Sequence, residues 1–200
     1  MKTTALVLTL LLFVLGCSKK SDNPVSTVDD TTNQILPLQV GNSWTYNVMT
    51  YDTAGTGTFY ALINMVVVRD TTIGGERWYI VSSSGASGVG ILKVKSDGLW
   101  YHSAAGNFLG IKYPAADLSA FLMQSITVSV VSNSASVTVP KGTFSCIKYG
   151  VTQGTSFFGP GPTDYYFSKG KGLVQINIYI VSGSKTMRYL SVDLVDYVVQ

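Results

Sequence analysis

His102 is the only histidine in the 200 residues, so a serine- or cysteine-based nucleophilic site in this chain would have to use it as the base. It lies in Trp100-Tyr101-His102-Ser103, a short strand-like stretch in which an imidazole ordinarily faces solvent or takes a local hydrogen bond. Cys146 sits in Thr143-Phe144-Ser145-Cys146-Ile147-Lys148-Tyr149. A reactive thiolate wants a cationic or histidine neighbour, and Lys148 is the one cation nearby; a free cysteine in such a run is expected to behave as a small buried hydrophobe. Asp193 and Asp196 stand three apart on a strand candidate, which predicts opposite faces and denies them the pairing that glycoside cleavage requires. One histidine and one free cysteine leave zinc without its usual ligands, and no Asp-x-Asp-x-Asp-Gly loop offers itself to calcium. Gly170-x-Gly172 is followed by no helix and no Gly-Lys-Ser/Thr, so it reads as a strand turn and not as a phosphate loop. No catalytic residue, metal site or cofactor is therefore expected, and a hydrolase using His102 stands only as an alternative.

The remaining reactive position is Cys17. Met1-Lys2 gives a positive start, Ala5 to Leu15 is apolar apart from Thr9, and Gly16 is a small residue just before the cysteine. These are the parts of a secretory signal peptide, too short to cross a hydrocarbon core that asks for about 20 apolar residues. Val14-Leu15-Gly16-Cys17 resembles the bacterial lipobox, with Leu15 bulkier than the usual residue at its place. The resemblance implies cleavage after residue 16, acylation of Cys17 through its sulfur, and a membrane-anchored lipoprotein of the cell envelope, at the outer membrane. Residues 17–34 are polar without apolar periodicity and read as a flexible tether, able to hold a domain about 20–25 Å from the bilayer. Acidic residues behind a lipidated cysteine resemble surface-export signals of Bacteroidetes-like bacteria; only Asp22 is near, after Lys19 and Lys20, so periplasmic and surface-facing placements both stay open.

Residues 35–200 form the domain, long enough for a real core. Tyr, Phe, Val, Ile and Thr abound, glycines and serines punctuate the chain, and Glu76 is the only glutamate; this mixture favours strands. From Gln34 onward eleven Lys/Arg face eight Asp/Glu, and the basic residues are scattered singly. A nucleic-acid surface would cluster them, so no nucleic-acid partner is expected.

Trp44, Tyr46 and Val48 alternate with polar residues after the Gly41-Asn42 turn, as a half-buried strand should, and Trp44 is expected to plug one end of the core. Further strands are read over 58–70, 77–83, 90–95, 99–103 and 108–113, with Asp97-Gly98 as a tight hairpin signal. Leu118, Phe121 and Leu122 have helical spacing, which predicts one short helix over Ala115–Gln124. Ser125–Val131 and Ser136–Val139 read as a hairpin about Asn133-Ser134, and strands follow over 142–152, 163–168, 173–181 and 185–199. Short turns make the neighbours antiparallel, and a sheet of roughly eleven strands tends to curl or close. The expected fold is all-β: a single, strongly curved antiparallel sheet or half-open barrel with at most one short helix.

Pro37 to Asn47 (PLQVGNSWTYN), Val139 to Tyr149 (VPKGTFSCIKY) and Tyr165 to Val174 (YYFSKGKGLV) together resemble a poorly characterised group of bacterial envelope lipoproteins. The resemblance implies one antiparallel β domain, similar to the half-open barrels of Lol-type lipoprotein carriers, and brings no activity with it. Gly41-x-x-Trp44 is also similar to the Gly-x-Trp opening of lipocalins, with one residue too many. Aromatic rings gather at Phe157, Phe158, Tyr165 and Tyr166, the candidate ligand contacts. The function expected is a non-catalytic binding module for an apolar or amphipathic ligand or an envelope protein; a structural or adhesive surface module is the alternative.

Overall fold

Trp44, Tyr46 and Val48 are buried, whereas Ser43, Thr45 and Asn47 between them are only half-buried, so strand β1 (Ser43–Tyr51) has one covered face. The computed structural model describes residues 31–84, 89–152, 155–156 and 159–200. Within these residues there are fourteen strands and one short 3-10 turn, Thr31–Asn33. The predicted leader, Cys17 and most of the tether lie outside them.

From β1 the chain winds outward hairpin by hairpin through β2 (Gly57–Ile73), β3 (Glu76–Ser83), β4 (Val89–Lys95), β5 (Gly98–Ser103) and β6 (Gly106–Lys112). The far side of β1 is covered by the last strand, β14 (Lys185–Val198). Beyond it come β13 (Gly172–Ser182), β12 (Thr163–Ser168), β9 (Gly142–Val151), β8 (Ile126–Val139) and β7 (Ala120–Met123). All twelve are antiparallel, and a separate two-residue ribbon, β10 (Thr155–Ser156) with β11 (Gly159–Pro160), bridges β9 and β12. Because the first and last strands pair, the two strand edges left over, β6 and β7, come from the middle of the chain. They lie against each other without a ladder, so the sheet is a barrel open along one seam. Tyr149 of β9 spans that seam: its fully buried hydroxyl donates to the Lys112 carbonyl at 2.7 Å. The curved antiparallel sheet inferred from the short turns is the observed architecture.

Two local expectations fail. Ala115–Gln124 is not helical: Leu118 and Gln124 take positive φ values of 59° and 57°, and residues 120–123 are extended as β7 against β8. Leu118 and Leu122 point out, 89% and 64% exposed, while Met123 is buried. The helical spacing is thus a coincidence between an exposed loop and a strand of period two; a ten-residue helix has little intrinsic stability to set against strand pairing. Ser125–Val139 is not a hairpin either. Ile126–Val139 is one long strand, paired with β9 from Ser129 on, and Asn133-Ser134 is taken up as an irregularity in the register between Ser132 and Ala135. With β9 offering a continuous partner and no glycine at the Asn-Ser pair, bulging costs less than a tight reversal.

One end of the barrel is closed by the segment before β1. Ile35, Leu36 and Leu38 are buried there beside Trp44, whose indole N–H donates to the Lys171 carbonyl at 2.6 Å. Trp44 is the plug anticipated from the sequence.

Candidate functional site

The inward side chains do not fill the barrel. Leu99, Tyr101 and Ile111 of β5 and β6 face Met123 and Val128 of β7 and β8 across a cavity of about 280 Å³, with Tyr165 and Phe167 of β12 and Leu36 completing much of the wall. The cavity thus borders the seam from both sides. Gly110 helps to shape it: a Cβ there would stand 2.1 Å from the Tyr101 ring, so the missing side chain is what lets that ring lie against β6. Tyr101 stacks on Phe108 at 5.5 Å and 10°, and burial, with the nearby Tyr165 second, pushes its hydroxyl up to about 12. Among the described residues no carboxylate, ammonium or imidazole lines the space, so their polarity there is limited to the tyrosine hydroxyls and backbone.

A second apolar cavity, about 170 Å³, is lined by Tyr46, Val48, Ile63, Ser83, Ile178 and Val192 among others. Met65, Leu173 and Ile176 line both spaces. Tyr46 is fixed by a hydrogen bond from its hydroxyl to the Leu173 carbonyl at 3.1 Å, and burial drives its pKa far above the ordinary phenol value.

Of the four aromatic residues singled out in the sequence, Tyr165 lies in the main cavity wall. Tyr166, next to it on the same strand, projects the other way: Lys148 stands 5.6 Å from its ring and pairs with Asp164 at 2.9 Å. The two tyrosines therefore do not share a site, and Phe157 and Phe158 lie outside the described residues. Met65, Leu99, Ile111 and Met123 went unnoticed, because an inward residue of a hollow barrel carries the same alternating signature as one of a packed core.

His102 and Cys146 are held apart in role. His102 Nδ1 lies 2.6 Å from Asn107 Oδ1 on the outer face of β5, with the Trp78 ring 5.6 Å away. Cys146 is buried in β9, its Sγ turned to the Phe144 carbonyl, and burial pushes the thiol up to about 12. Asp193 and Asp196 do not lie on the opposite faces that their spacing predicts. A bulge leaves Thr45 opposite Asp196 but Tyr46 opposite Leu194, so both aspartates share the outer face despite their spacing. They serve separate partners, Asp193 accepting from Gln175 at 2.7 Å and Ser191 at 2.6 Å, and Asp196 pairing with Lys141. Among the described residues no three His, Cys, Asp or Glu come together to hold a metal ion.

The outer face of β3–β5 carries a charged cluster. Glu76 pairs with Lys93 at 3.2 Å and Lys95 at 3.3 Å, and Lys95 Nζ lies 5.0 Å over the Trp100 ring. Hydrogen bonds first from Lys93, then from Lys95, hold the Glu76 carboxyl below its ordinary value. A carboxyl whose pKa is lowered by folding stabilises the fold above its unfolded pKa and loses that contribution as pH falls through the folded value. The melting midpoint of the native protein is thus expected to fall more steeply below about pH 4 than that of Glu76→Gln. The effect is modest because the group is exposed, and parallel acid profiles of the two proteins in thermal melts would refute it.

These elements define a twelve-stranded, up-and-down antiparallel barrel, open along one seam and hollow within. No protein family matches the sequence, nor does any curated protein. In structure the chain is similar to a protein of Bacteroides fragilis NCTC 9343 assigned as exported and as having a YmcC-like fold, with a TM-score of 0.53 and 12% identity over 81% of this chain and 97% of that one. It is also similar to a protein of Parabacteroides distasonis ATCC 8503 assigned as a lipoprotein, with a TM-score of 0.50 and 14% identity over 82% and 98% of the two chains. At such identities the likeness is one of fold.

Proposed function

We propose that this chain is a lipid-anchored binding protein of the bacterial cell envelope, non-catalytic, whose barrel holds an apolar or amphipathic ligand. The observation that carries the reading is the uncharged cavity of about 280 Å³, close to the lower end of ordinary ligand pockets at about 300 Å³. Barrel diameter grows with strand number, about eight strands being just filled by side chains, and the space left within this twelve-stranded sheet forfeits dispersion contacts that an apolar guest restores. The leader ending in Gly16-Cys17 supports anchoring through the Cys17 lipid at the outer membrane, and the lipoprotein and exported-protein assignments of the two similar structures agree with an envelope location.

The test is mass spectrometry of organic extracts from the protein purified from bacterial envelopes, beside the variant Val128→Phe. Val128 is 1% exposed and lines the cavity, so the larger ring grows into open space. The native protein is expected to carry a stoichiometric apolar molecule. The variant is expected to retain about tenfold less, with its unfolding midpoint unchanged or raised because the void is filled. An empty native protein would overturn the reading.

A further inference from the structure

We propose, resting on the cavity reading just given, that the bound group is a single unbranched hydrocarbon chain running through both cavities, and that Met65 sets how far along the barrel it reaches. The two spaces adjoin one another. They share Met65, Leu173 and Ile176 as a common wall, and each is small. A guest that uses both has to pass between these three side chains, which suits a slender methylene chain better than a fused-ring or heavily branched body. Walls that offer, among the described residues, no carboxylate, ammonium or imidazole suit a chain whose polar end stays outside, since a buried unpaired charge would be costly.

The three residues of the common wall are not equally movable. Leu173 follows the β12–β13 turn, and its carbonyl is tied to the Tyr46 hydroxyl. Ile176 is 1% exposed and sits in the middle of β13, its ladder neighbours Tyr165 and Val192 on either side. Met65 stands opposite both Trp44 and Ser83 in its two ladders and is only half-buried. Its unbranched thioether has three rotatable bonds and adapts to irregular space, so Met65 is the member of the common wall that can swing aside. It is a specificity-determining residue for chain length.

The experiment uses the full-length, membrane-anchored protein in phosphatidylcholine vesicles, loaded with laurate or stearate carrying a photoactivatable diazirine at the terminal carbon. Crosslinked peptides are mapped by mass spectrometry. In the native protein the laurate terminus is expected to label the first cavity only, whereas the terminus of stearate, threaded past Met65, labels residues of the second. Met65→Trp is expected to cut labelling of the second cavity by stearate about tenfold while leaving laurate labelling in place. Met65→Ala, a safer variant for folding, is expected to raise stearate labelling of the second cavity. If laurate and stearate give the same pattern, or if both variants label like the native protein, the role of Met65 is wrong although the cavity still binds. If no cavity peptide is labelled by either probe, the binding reading itself fails and this inference with it.

Discussion

Trp44→Ala is expected to lower the unfolding free energy by about 3–5 kcal/mol, a large part of the roughly 5–15 kcal/mol available to a domain. Trp44 is fully buried at the end of the barrel that Ile35, Leu36 and Leu38 close. Its removal opens a void beside those residues and leaves the Lys171 carbonyl without the indole donor 2.6 Å away. The void cannot collapse easily, because β1 is clamped between β2 and β14 along its length. Trp44→Phe separates the two contributions: it keeps most of the ring volume but not the N–H, and is expected to cost about 1–3 kcal/mol. Urea denaturation of the three proteins measures both values, and an alanine variant within 1 kcal/mol of the native protein would mean that the plug contributes little.

Gly98→Ala is the second large effect, expected to destabilise by about 3 kcal/mol or more. Gly98 opens β5 at a φ of 142°, which side chains of L-residues rarely adopt, and a Cβ there would lie 2.0 Å from the carbonyl oxygen of Ile111. That oxygen belongs to the backbone of β6, so relief requires moving a strand and not a side chain. Ile111 also lines the main cavity, so the displacement should reach the seam. Amide hydrogen exchange would show it: protection is expected to fall in β5 and β6 and to persist in β12 to β14, which lie across the barrel. Uniform loss of protection would instead mean that the barrel opens only as a whole.

Much of this architecture could be read in the residues themselves. Trp44-Thr45-Tyr46 announces its buried face by alternation, and Asp97-Gly98 announces its hairpin, because both signals are local. Ala115–Gln124 misleads for the opposite reason: Leu118, Phe121 and Leu122 are spaced as on a helix, and only the presence of β8 alongside shows that residues 120–123 extend. Asp193 and Asp196 mislead because a bulge opposite Thr45 and Tyr46 is invisible in a single strand. The cavity is the least legible feature. Whether Leu99, Met123 and Val128 meet across the barrel or stop short of one another depends on its diameter, which is a property of all twelve strands together. Tyr165 was legible as an aromatic of interest, but its inward direction and the outward direction of Tyr166 follow from the register of β12.

The pairing of β1 with β14 also governs when the molecule can exist. Trp44 meets Tyr197, and Thr50 meets Leu190, contacts between the earliest and the latest parts of the domain to leave the ribosome. The hairpins of β1 to β6 and of β7 to β14 can form piecemeal, but the ladder that joins the two halves must wait for the final strand. Such distant closure is slow. Until β14 is in place the β1 edge stays open, and the barrel closes only when that last ladder of the domain forms.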